Sequence, residues 1–315
     1  MSNTESGEAP HHRGRLTHTP ATGSAGKRKR LRELIGSKAV IVAPGAYDAA
    51  SAAVIGHAGF PVVHATGAGI SCSLGYPDVG LLGMREVADH VQRMVDVTSV
   101  PLVADIDTGY GNQLNAIRTI REFERIGVAG LHIEDQVFPK KCGLLSGREV
   151  IPQKDMIAKL RSALDARVDD NLVIIARTDA RDALGLEAVI ERGQAFHEAG
   201  ADMIFVYGAH SPEELRKIAD KVPGPLMTHV SRGASFSDIS HADLGDLGYK
   251  LVIHALSPLE VAMEAISEYL EALREIGSEK AFEEKMMTYQ DLYGLVKLPE
   301  WLEAERVYSV EEKTQ

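Results

Sequence analysis

The chain has 315 residues, a formal net charge of −11 at pH 7, and 44% hydrophobic and 25% charged residues. No stretch approaches the roughly 18 consecutive apolar residues of a membrane-spanning helix, and the N-terminus lacks the apolar segment of a signal peptide. The negative charge argues against nucleic acid or an anionic membrane as a partner, and two cysteines are too few for a disulfide framework, which favours the cytoplasm.

Residues 1–26 are polar, with scattered Gly, Pro, Ser and Thr, and we expect a disordered tail that precedes a single domain over 27–315. The basic segment KRKRLREL (27–34) has two interpretations. It is either the start of a surface helix, as the helical spacing of Leu31, Leu34 and Ile35 indicates, or a nuclear-localisation or nucleic-acid-binding patch. The helix interpretation is favoured.

From residue 40 onward, short apolar segments alternate with amphipathic helical segments. Near-continuous apolar strands indicate a parallel sheet covered by helices on both faces. Eight such units predict an α/β fold of the (β/α)8 TIM-barrel type. The alternative, a doubly wound open sheet, usually carries a phosphate-binding fingerprint that this sequence lacks. The predicted strands are 40–45, 62–67, 101–107, 130–135, 172–179, 202–208, 225–230 and 250–255.

Acidic side chains gather where the third and fourth strands end. Asp105 and Asp107 are two residues apart, as are His132 and Glu134, so each pair is expected to face one side of its strand. Such carboxylates would repel one another, whereas oxygen ligands suit Mg²⁺ or Mn²⁺. The alternative is a set of helix-capping and salt-bridging acids, and Asp78 taken alone fits an Asx-turn.

Two further features carry chemistry. Arg177 ends the fifth strand, where its guanidinium would bind either a substrate carboxylate or one of the acids above. Cys142 lies in a glycine-containing loop segment, PKKCG, where Lys140 and Lys141 are expected to lower the pKa of its thiol. Cys72 instead fits a small buried hydrophobic residue.

The motifs TGAGIS, GYPDVG, ADIDTGYG, GLHIEDQ, PKKCG and IIARTDAR occur in this order. Through them the chain resembles the isocitrate lyase/phosphoenolpyruvate mutase superfamily, and most of all its methylisocitrate lyase, dimethylmalate lyase and carboxyphosphonoenolpyruvate mutase branch. The resemblance implies a (β/α)8 barrel in a homotetramer, with the eighth helix swapped onto a neighbouring subunit. It also implies that Mg²⁺ holds an α-keto acid or its enolate.

The resemblance assigns roles to the acidic residues. Asp105 would contact the metal most directly, and His132 would line the same site. Asp107, Glu134 and Asp78 would hold the waters of the metal.

The resemblance also assigns the proton transfer. Cys142, on a closing loop, would exchange a proton with the carbanion that forms when a C–C bond breaks. Lys141 and Arg177 would be the other catalytic residues. The residues implied in substrate binding are Tyr47, Thr66, Gly67, Ala68, Gly143, Leu144, Arg177, Tyr207, His229 and Ser231.

Three segments depart from the lyase pattern. Leu144 stands in place of a His, Tyr207 in place of a Glu, and HVSR in place of N-x-T/V-E, so that His229 and Ser231 replace Asn and Thr while Arg232 replaces Glu. Because an unpaired buried polar group costs about 1–3 kcal/mol, these changes predict a distal pocket that is altered and less polar near residue 144.

These observations predict a Mg²⁺-dependent lyase that cleaves a 2-hydroxy acid of the methylisocitrate or substituted-malate type into a keto acid and a carboxylate. The alternatives are an oxaloacetate decarboxylase or hydrolase and a carboxyphosphonoenolpyruvate-type phosphonomutase. An alternative from another class is a non-catalytic barrel that binds a keto acid. The intact set of Asp105, Asp107, Glu134 and Cys142 argues against the last. Residues 256–310 are predicted to form amphipathic helices that pack on a partner subunit or on the same chain.

Overall fold

The computed structural model describes residues 23–233 and 236–309. Eight parallel strands form a closed barrel in sequence order, and the last strand pairs with the first. The predicted (β/α)8 fold is therefore confirmed. The strands are β1 (Ile41–Ala46), β2 (Val63–Ala65), β3 (Leu102–Asp105), β4 (Gly130–Glu134), β5 (Val173–Thr178), β6 (Met203–Val206), β7 (Leu226–His229) and β8 (Tyr249–His254).

Helices cover the outside of the barrel and close its N-terminal end. They are α1 (Ser24–Gly36), α2 (Ala49–His57), α3 (Gly67–Ser73), α4 (Met84–Val97), α5 (Gln113–Ile126), α6 (Gln153–Ala166), α7 (Arg181–Leu184), α8 (Leu186–Glu198), α9 (Pro212–Lys221), α10 (His241–Asp246), α11 (Ser257–Ile276), α12 (Tyr289–Leu295) and α13 (Leu298–Tyr308), with 3₁₀ turns at Glu279–Ala281 and Glu283–Lys285.

Helix α5 shows how the sequence sets these boundaries. The Asn112 side chain accepts a hydrogen bond from Leu114 N at 3.0 Å and caps the first turn. The apolar face of the helix, including Ile120 and Phe123, is buried against the sheet. Gly127 ends the helix in the left-handed conformation (φ 98°), which glycine adopts without steric cost.

The strands separate two apolar layers. Alternate residues, such as Leu131 and Ile133 of β4, pack outward against the helices. The other set fills the barrel interior, as Val173 and Ile175 of β5 do, and toward the C-terminal ends of the strands it gives way to polar side chains such as Arg177. This inward alternation is what brings side chains from different strands together at one end of the barrel.

Helix α1 seals the opposite end. Leu31 is fully buried in the interior layer. Lys27 donates hydrogen bonds to Val95 O (3.1 Å) and Thr98 O (2.6 Å), and Arg28 donates to Val128 O (3.0 Å). The predicted helix is thus confirmed, with Arg30 and Glu33 on its exposed face. Its first two basic side chains, however, are buried hydrogen-bond donors rather than surface charges. The helix begins at Ser24, ahead of the predicted boundary at 27, and residues 1–22 of the predicted tail lie outside the described residues.

The C-terminal helices leave apolar side chains exposed. On α11, Val261 is 70% exposed, and Ile266 and Leu270 are about half exposed. Exposed apolar residues continue on α12 and α13, including Leu292 and Trp301. Among the residues that the structure describes, no helix combines the length and the low polarity that a membrane crossing needs.

Candidate active site

One pocket opens at the C-terminal ends of the barrel strands, and most of the side chains singled out in the sequence line it. The pocket lining also includes residues that were not selected as site residues from the sequence, among them His64, Lys140 and Phe205. The predicted residues among its lining are Thr66, Ala68, Asp78, Asp105, His132, Cys142, Gly143, Leu144, Arg177, Tyr207, His229 and Ser231.

Four carboxylates meet beneath this pocket around one ammonium group. Lys140 Nζ lies 2.8 Å from Asp107 Oδ1 and forms a second, shorter ion pair with Asp78. Asp105 closes the strand β3 and accepts a hydrogen bond from Asp107 N at 3.0 Å. Glu134, at the end of β4, is 1% exposed, and its Oε1 has no hydrogen-bond donor among the described residues.

Strand alternation explains only part of this arrangement. His132 and Glu134 do share the interior face of β4, since Leu131 and Ile133 pack outward. However, β3 ends at Asp105, and Asp107 lies beyond it in a left-handed turn with φ 48°. Asp107 therefore reaches the cluster through the turn rather than through the pleat of a strand.

The electrostatics show that negative charge is in excess here. Burial, reinforced by Asp105 and Asp78 and opposed by Lys140, raises the pKa of Asp107 to about 6. Burial likewise raises the pKa of Glu134 well above its ordinary value. Burial would also raise the pKa of Asp105, but Lys140, Arg177 and His132, which is charged only at the low pH where Asp105 titrates, hold it below its usual range. The site is therefore short of positive charge.

The residues fit a magnesium ion that keeps part of its water shell. Among the described residues, no three His, Cys, Asp or Glu side chains converge as direct ligands. The donors are nevertheless all oxygens, as Mg²⁺ prefers, and Glu134 has unsatisfied oxygens that metal-bound water would satisfy. Gly67 matters as well, because a Cβ there would lie 2.8 Å from Asp105 Oδ2 and would fill the space before that oxygen.

Arg177 makes its strongest contacts with acids of the protein itself. Its Nε and Nη2 donate to the two oxygens of Asp179 at 2.8 and 2.9 Å, and Nη1 lies 3.1 Å from Glu134 Oε2. The guanidinium also lies over the Tyr207 ring, 4.6 Å from its centroid. Of the two interpretations, the structure thus shows the salt bridge, and Arg177 still lines the pocket.

A histidine pair lies beside Asp105. His132 Nε2 is 3.0 Å from His64 Nε2, and His132 Nδ1 is 3.5 Å from Asp105 Oδ1. Burial lowers the pKa of His64 to about 3 and that of His132 to about 4, so both rings are neutral near pH 7. His64 lies on β2, two residues before Thr66, so strand alternation counted back from Thr66 could have pointed to it.

The segment that carries Cys142 folds over the pocket, and we name residues 140–148 the Cys142 loop. Cys142 N donates to Asp78 O at 2.8 Å, which fixes the thiol at the pocket wall. Lys140 points inward, but Lys141 points away and donates from Nζ to Gly147 O at 2.9 Å. The lysine that faces the pocket is therefore Lys140 and not the predicted Lys141, because adjacent residues of an extended segment face opposite sides.

The thiol also differs from expectation. Burial raises the pKa of Cys142, and the nearby Asp78 raises it further, although Lys140 opposes both effects. The predicted lowering of the thiol pKa is wrong, because Lys141 is directed elsewhere and the charge of Lys140 is shared with Asp78 and Asp107. Cys72, by contrast, is exposed rather than buried.

Aromatic rings form the far wall of the pocket. Tyr207 stacks on His229 with ring centroids 4.5 Å apart and an angle of 20° between the ring planes. Burial lowers the pKa of His229 to about 3, so this imidazole is neutral. Leu144 lies at the mouth and is 58% exposed, while Arg232 points to solvent with its Nη2 3.7 Å from Glu260 Oε1.

The remaining predicted contacts lie at the edge of the site. Thr66 is buried and caps α3 by accepting a hydrogen bond from Gly69 N at 3.3 Å. Tyr47 is not part of the pocket lining, and its carbonyl oxygen binds His90 Nε2 at 2.7 Å. Arg148 was not predicted from the sequence, because it is not part of a recognisable motif. Its side chain is buried beneath the Cys142 loop.

Comparisons with known proteins agree with this geometry. The family model for phosphoenolpyruvate phosphomutase matches residues 31–274. The chain is 40% identical over 281 residues to a 2,3-dimethylmalate lyase of Eubacterium barkeri, covering 89% of this chain and 97% of that protein. It is 39% identical over 266 residues to a 2-methylisocitrate lyase of Aeropyrum pernix, covering 84% and 86% of the two chains.

Solved structures give the same answer. A 2,3-dimethylmalate lyase described as a member of the PEP mutase/isocitrate lyase superfamily superposes with a TM-score of 0.85 at 32% identity, covering 94% of this chain and 99% of that one. An oxaloacetate acetylhydrolase with 3,3-difluorooxalacetate has a TM-score of 0.85 at 32% identity, with coverages of 90% and 97%. A phosphonopyruvate hydrolase complexed with oxalate and Mg²⁺ has a TM-score of 0.82 at 28% identity, with coverages of 90% and 99%. The chain therefore belongs to the phosphoenolpyruvate mutase/isocitrate lyase superfamily and is an enzyme of its carbon–carbon lyase type.

Proposed function

We propose that this enzyme is a Mg²⁺-dependent lyase that cleaves a 2-hydroxy acid of the methylisocitrate or substituted-malate type into a keto acid and a carboxylate. The observation that carries the proposal is the position of Cys142, which lies on a loop directly over the buried carboxylates of the pocket. The similarity to the two lyases named above supports the same reaction class.

The acidic cluster would hold the metal. Asp105 would be its direct ligand, and Asp78, Asp107 and Glu134 would bind its waters, as their burial and excess negative charge favour. When bound, the ion would supply Lewis-acid polarisation of the oxygen on C2 of the substrate. The Mg²⁺ named with the related phosphonopyruvate hydrolase supports this choice of metal.

The protein side of the reaction is a proton donation. Breaking the C2–C3 bond turns the C2 hydroxyl into a ketone, and the bonding electron pair remains on C3. The hydroxyl proton passes to the Glu134 carboxylate, whose Oε1 has no hydrogen-bond donor among the described residues. The Cys142 thiol donates its proton to C3, which completes the carboxylic acid product. Because burial raises the pKa of Cys142, the group is protonated near neutral pH. Its place on a covering loop excludes water from the carbanion.

The far wall of the pocket indicates which type of substrate would fit. Leu144, the Tyr207 ring and Ile253 offer apolar surface where a polar substrate arm would need partners. The cations beside it are engaged with acids of the protein, Arg177 with Asp179 and Lys140 with Asp107. These contacts favour an alkyl-substituted malate over a tricarboxylate within the proposed class.

A substrate panel tests the proposal. Purified protein with Mg²⁺ would be given 2,3-dimethylmalate, 2-methylisocitrate, citramalate, oxaloacetate and phosphonopyruvate, and keto-acid or oxalate formation would be measured. Cleavage of a 2-hydroxy acid that stops in Cys142→Ser is the expected result. Turnover of oxaloacetate alone would favour the second candidate, a hydrolase like the structurally similar oxaloacetate acetylhydrolase. Full activity of Cys142→Ser would exclude the proposed proton donor.

The enzyme is also proposed to act as a homotetramer. The apolar face of α11 to α13, which includes Val261, Ile266 and Trp301, is exposed in the single chain and is larger than scattered surface residues explain. A second copy of the chain is the proposed occupant. Light scattering after gel filtration should give four times the 34.1 kDa chain mass, and Ile266→Glu should lower it; a monomeric wild-type protein would refute the assembly.

A further inference from the structure

We propose that Arg148 is a positioning residue that locks the Cys142 loop closed over the pocket. Arg148 ends the loop, and its side chain runs back beneath it. The locking itself is independent of the reaction, whereas its effect on turnover rests on the proposed function. The geometry, the chemistry of the guanidinium and the exposure of the loop each contribute to the inference.

The Arg148 guanidinium joins the loop to the barrel. On the loop side, Nη1 donates to the carbonyl oxygens of Gly143 and, at 2.8 Å, of Leu145. On the barrel side, Nη2 donates to Asp182 Oδ2 at 2.6 Å, and Nε lies 3.8 Å from Asp179 Oδ1. One rigid, planar group thus connects the backbone of the loop to two acids that follow β5.

The guanidinium also packs against the pocket wall. Its central carbon lies 5.4 Å from the centroid of the Tyr207 ring, a distance at which a cation and an aromatic face attract. Gly143 lies against the same ring so closely that a Cβ on it would come within 2.2 Å of Tyr207 Cζ. Arg148 and Gly143 therefore hold the ring and the loop in one fixed arrangement.

Apolar burial does not hold this loop in place. Leu144 and Leu145, the two large apolar residues of the loop, are 58% and 46% exposed. The inner end of the loop is held by the hydrogen bond from Cys142 N to Asp78 O, and the outer end by Arg148. If the loop opened, the buried guanidinium would lose both carbonyl acceptors, and unpaired buried donors are costly. Arg148 therefore biases the loop toward its closed state before substrate binds.

The test measures access to the Cys142 thiol by its rate of alkylation with iodoacetamide. A Cys72→Ser background removes the exposed second thiol. The variants are Arg148→Met and, at a half-exposed position, Asp182→Asn. The matched control is Arg167→Met, since Arg167 also binds a carbonyl (Leu172 O, 2.9 Å) and an aspartate (Asp202, 2.7 Å) but lies at the other end of the barrel.

We expect alkylation of Cys142 to be about tenfold faster in Arg148→Met and severalfold faster in Asp182→Asn, because local opening becomes more frequent. In Arg148→Met the lost positive charge can only disfavour the thiolate, so a faster reaction of that variant reports loop opening. Arg167→Met should leave the rate within twofold of the parent. Equal rates in the parent and in both loop variants, or an equal acceleration in Arg167→Met, would overturn the proposal.

Turnover gives the second measurement, with the substrate that the panel identifies. If only part of the free enzyme is closed, the apparent affinity falls by that fraction, whereas saturating substrate restores closure. We therefore expect Arg148→Met to raise KM about tenfold and to change kcat less than threefold. A fall in kcat at unchanged KM would contradict a positioning role. If Arg148→Met is alkylated faster but the enzyme turns over none of the panel substrates, the proposed function is rejected and the role of Arg148 in holding the loop closed is retained.

Discussion

Gly143→Ala should disable the enzyme without unfolding it. A Cβ on residue 143 would lie 2.2 Å from Tyr207 Cζ, and ordinary contact begins at 3.4 Å, so the atoms must separate by about 1.2 Å. Tyr207 cannot yield, because it is stacked between His229 and the Arg177 guanidinium. The loop must move instead, and it carries the neighbouring Cys142 thiol with it. Displacing a reacting group by about 1 Å costs up to about a hundredfold in rate.

The assay is a double-mutant cycle on kcat/KM. We expect Gly143→Ala to lower kcat/KM about 10- to 100-fold and the melting temperature by only a few degrees, since the loop makes few apolar contacts. In a Tyr207→Leu background, which lacks the ring atoms that the Cβ would strike, Gly143→Ala should cost less than about threefold. Equal losses in the two backgrounds would refute the steric argument, as would wild-type activity of Gly143→Ala.

Three further predictions concern stability and metal binding. Burial lowers the pKa of Lys27 to about 8, so between about pH 8 and 10.5 the unfolded chain binds more protons than the folded one. In urea unfolding, the free energy of unfolding of the wild type should therefore rise relative to that of Lys27→Met by up to about 1.4 kcal/mol per pH unit in this window. A difference that does not change with pH would contradict this. Arg192→Met should lower the free energy of unfolding by about 3–5 kcal/mol in the same assay, because Arg192 binds the buried Asp135 carboxylate at 2.8 Å and its removal leaves that charge uncompensated. The double variant with Asp135→Asn should restore part of the loss. Saturating Mg²⁺ should raise the melting temperature by about 3 °C, and Asp105→Asn should abolish the increase; an undiminished shift would place the ion elsewhere.

How far the sequence could predict the site depended on where each residue lies relative to a strand. Inside strands the period of two is reliable, and it correctly groups His132 with Glu134. Beyond the end of a strand the rule no longer applies, and Asp107, two residues past β3, reaches the acids through a left-handed turn instead. The same limit explains the choice of Lys141 over Lys140. Loop backbone follows no fixed period, so only the fold shows which of two adjacent lysines faces the acids.

Long-range pairing was beyond the sequence altogether. Arg148 follows a glycine in an unpatterned loop, and its partners Asp179 and Asp182 are more than thirty residues away. Likewise, the sequence predicts a solvent-exposed basic segment at the start of α1. The carbonyl groups that Lys27 and Arg28 bind lie far away in the sequence, so the neighbouring residues give no sign of them. The barrel itself was predictable, since it depends only on repeated apolar strands.

The seal that α1 forms at the base of the barrel has a kinetic consequence. Leu31 of α1 is buried in the interior layer at that end, and the pocket opens at the opposite end, beneath the Cys142 loop. A cleavage reaction makes two products, and we expect both to leave through this opening, one after the other. Under the proposed function, the product held beside Asp105 would leave second, and we expect it to compete with substrate for the empty enzyme. The product nearer the pocket opening should inhibit only by rebinding to the enzyme that still holds the other product.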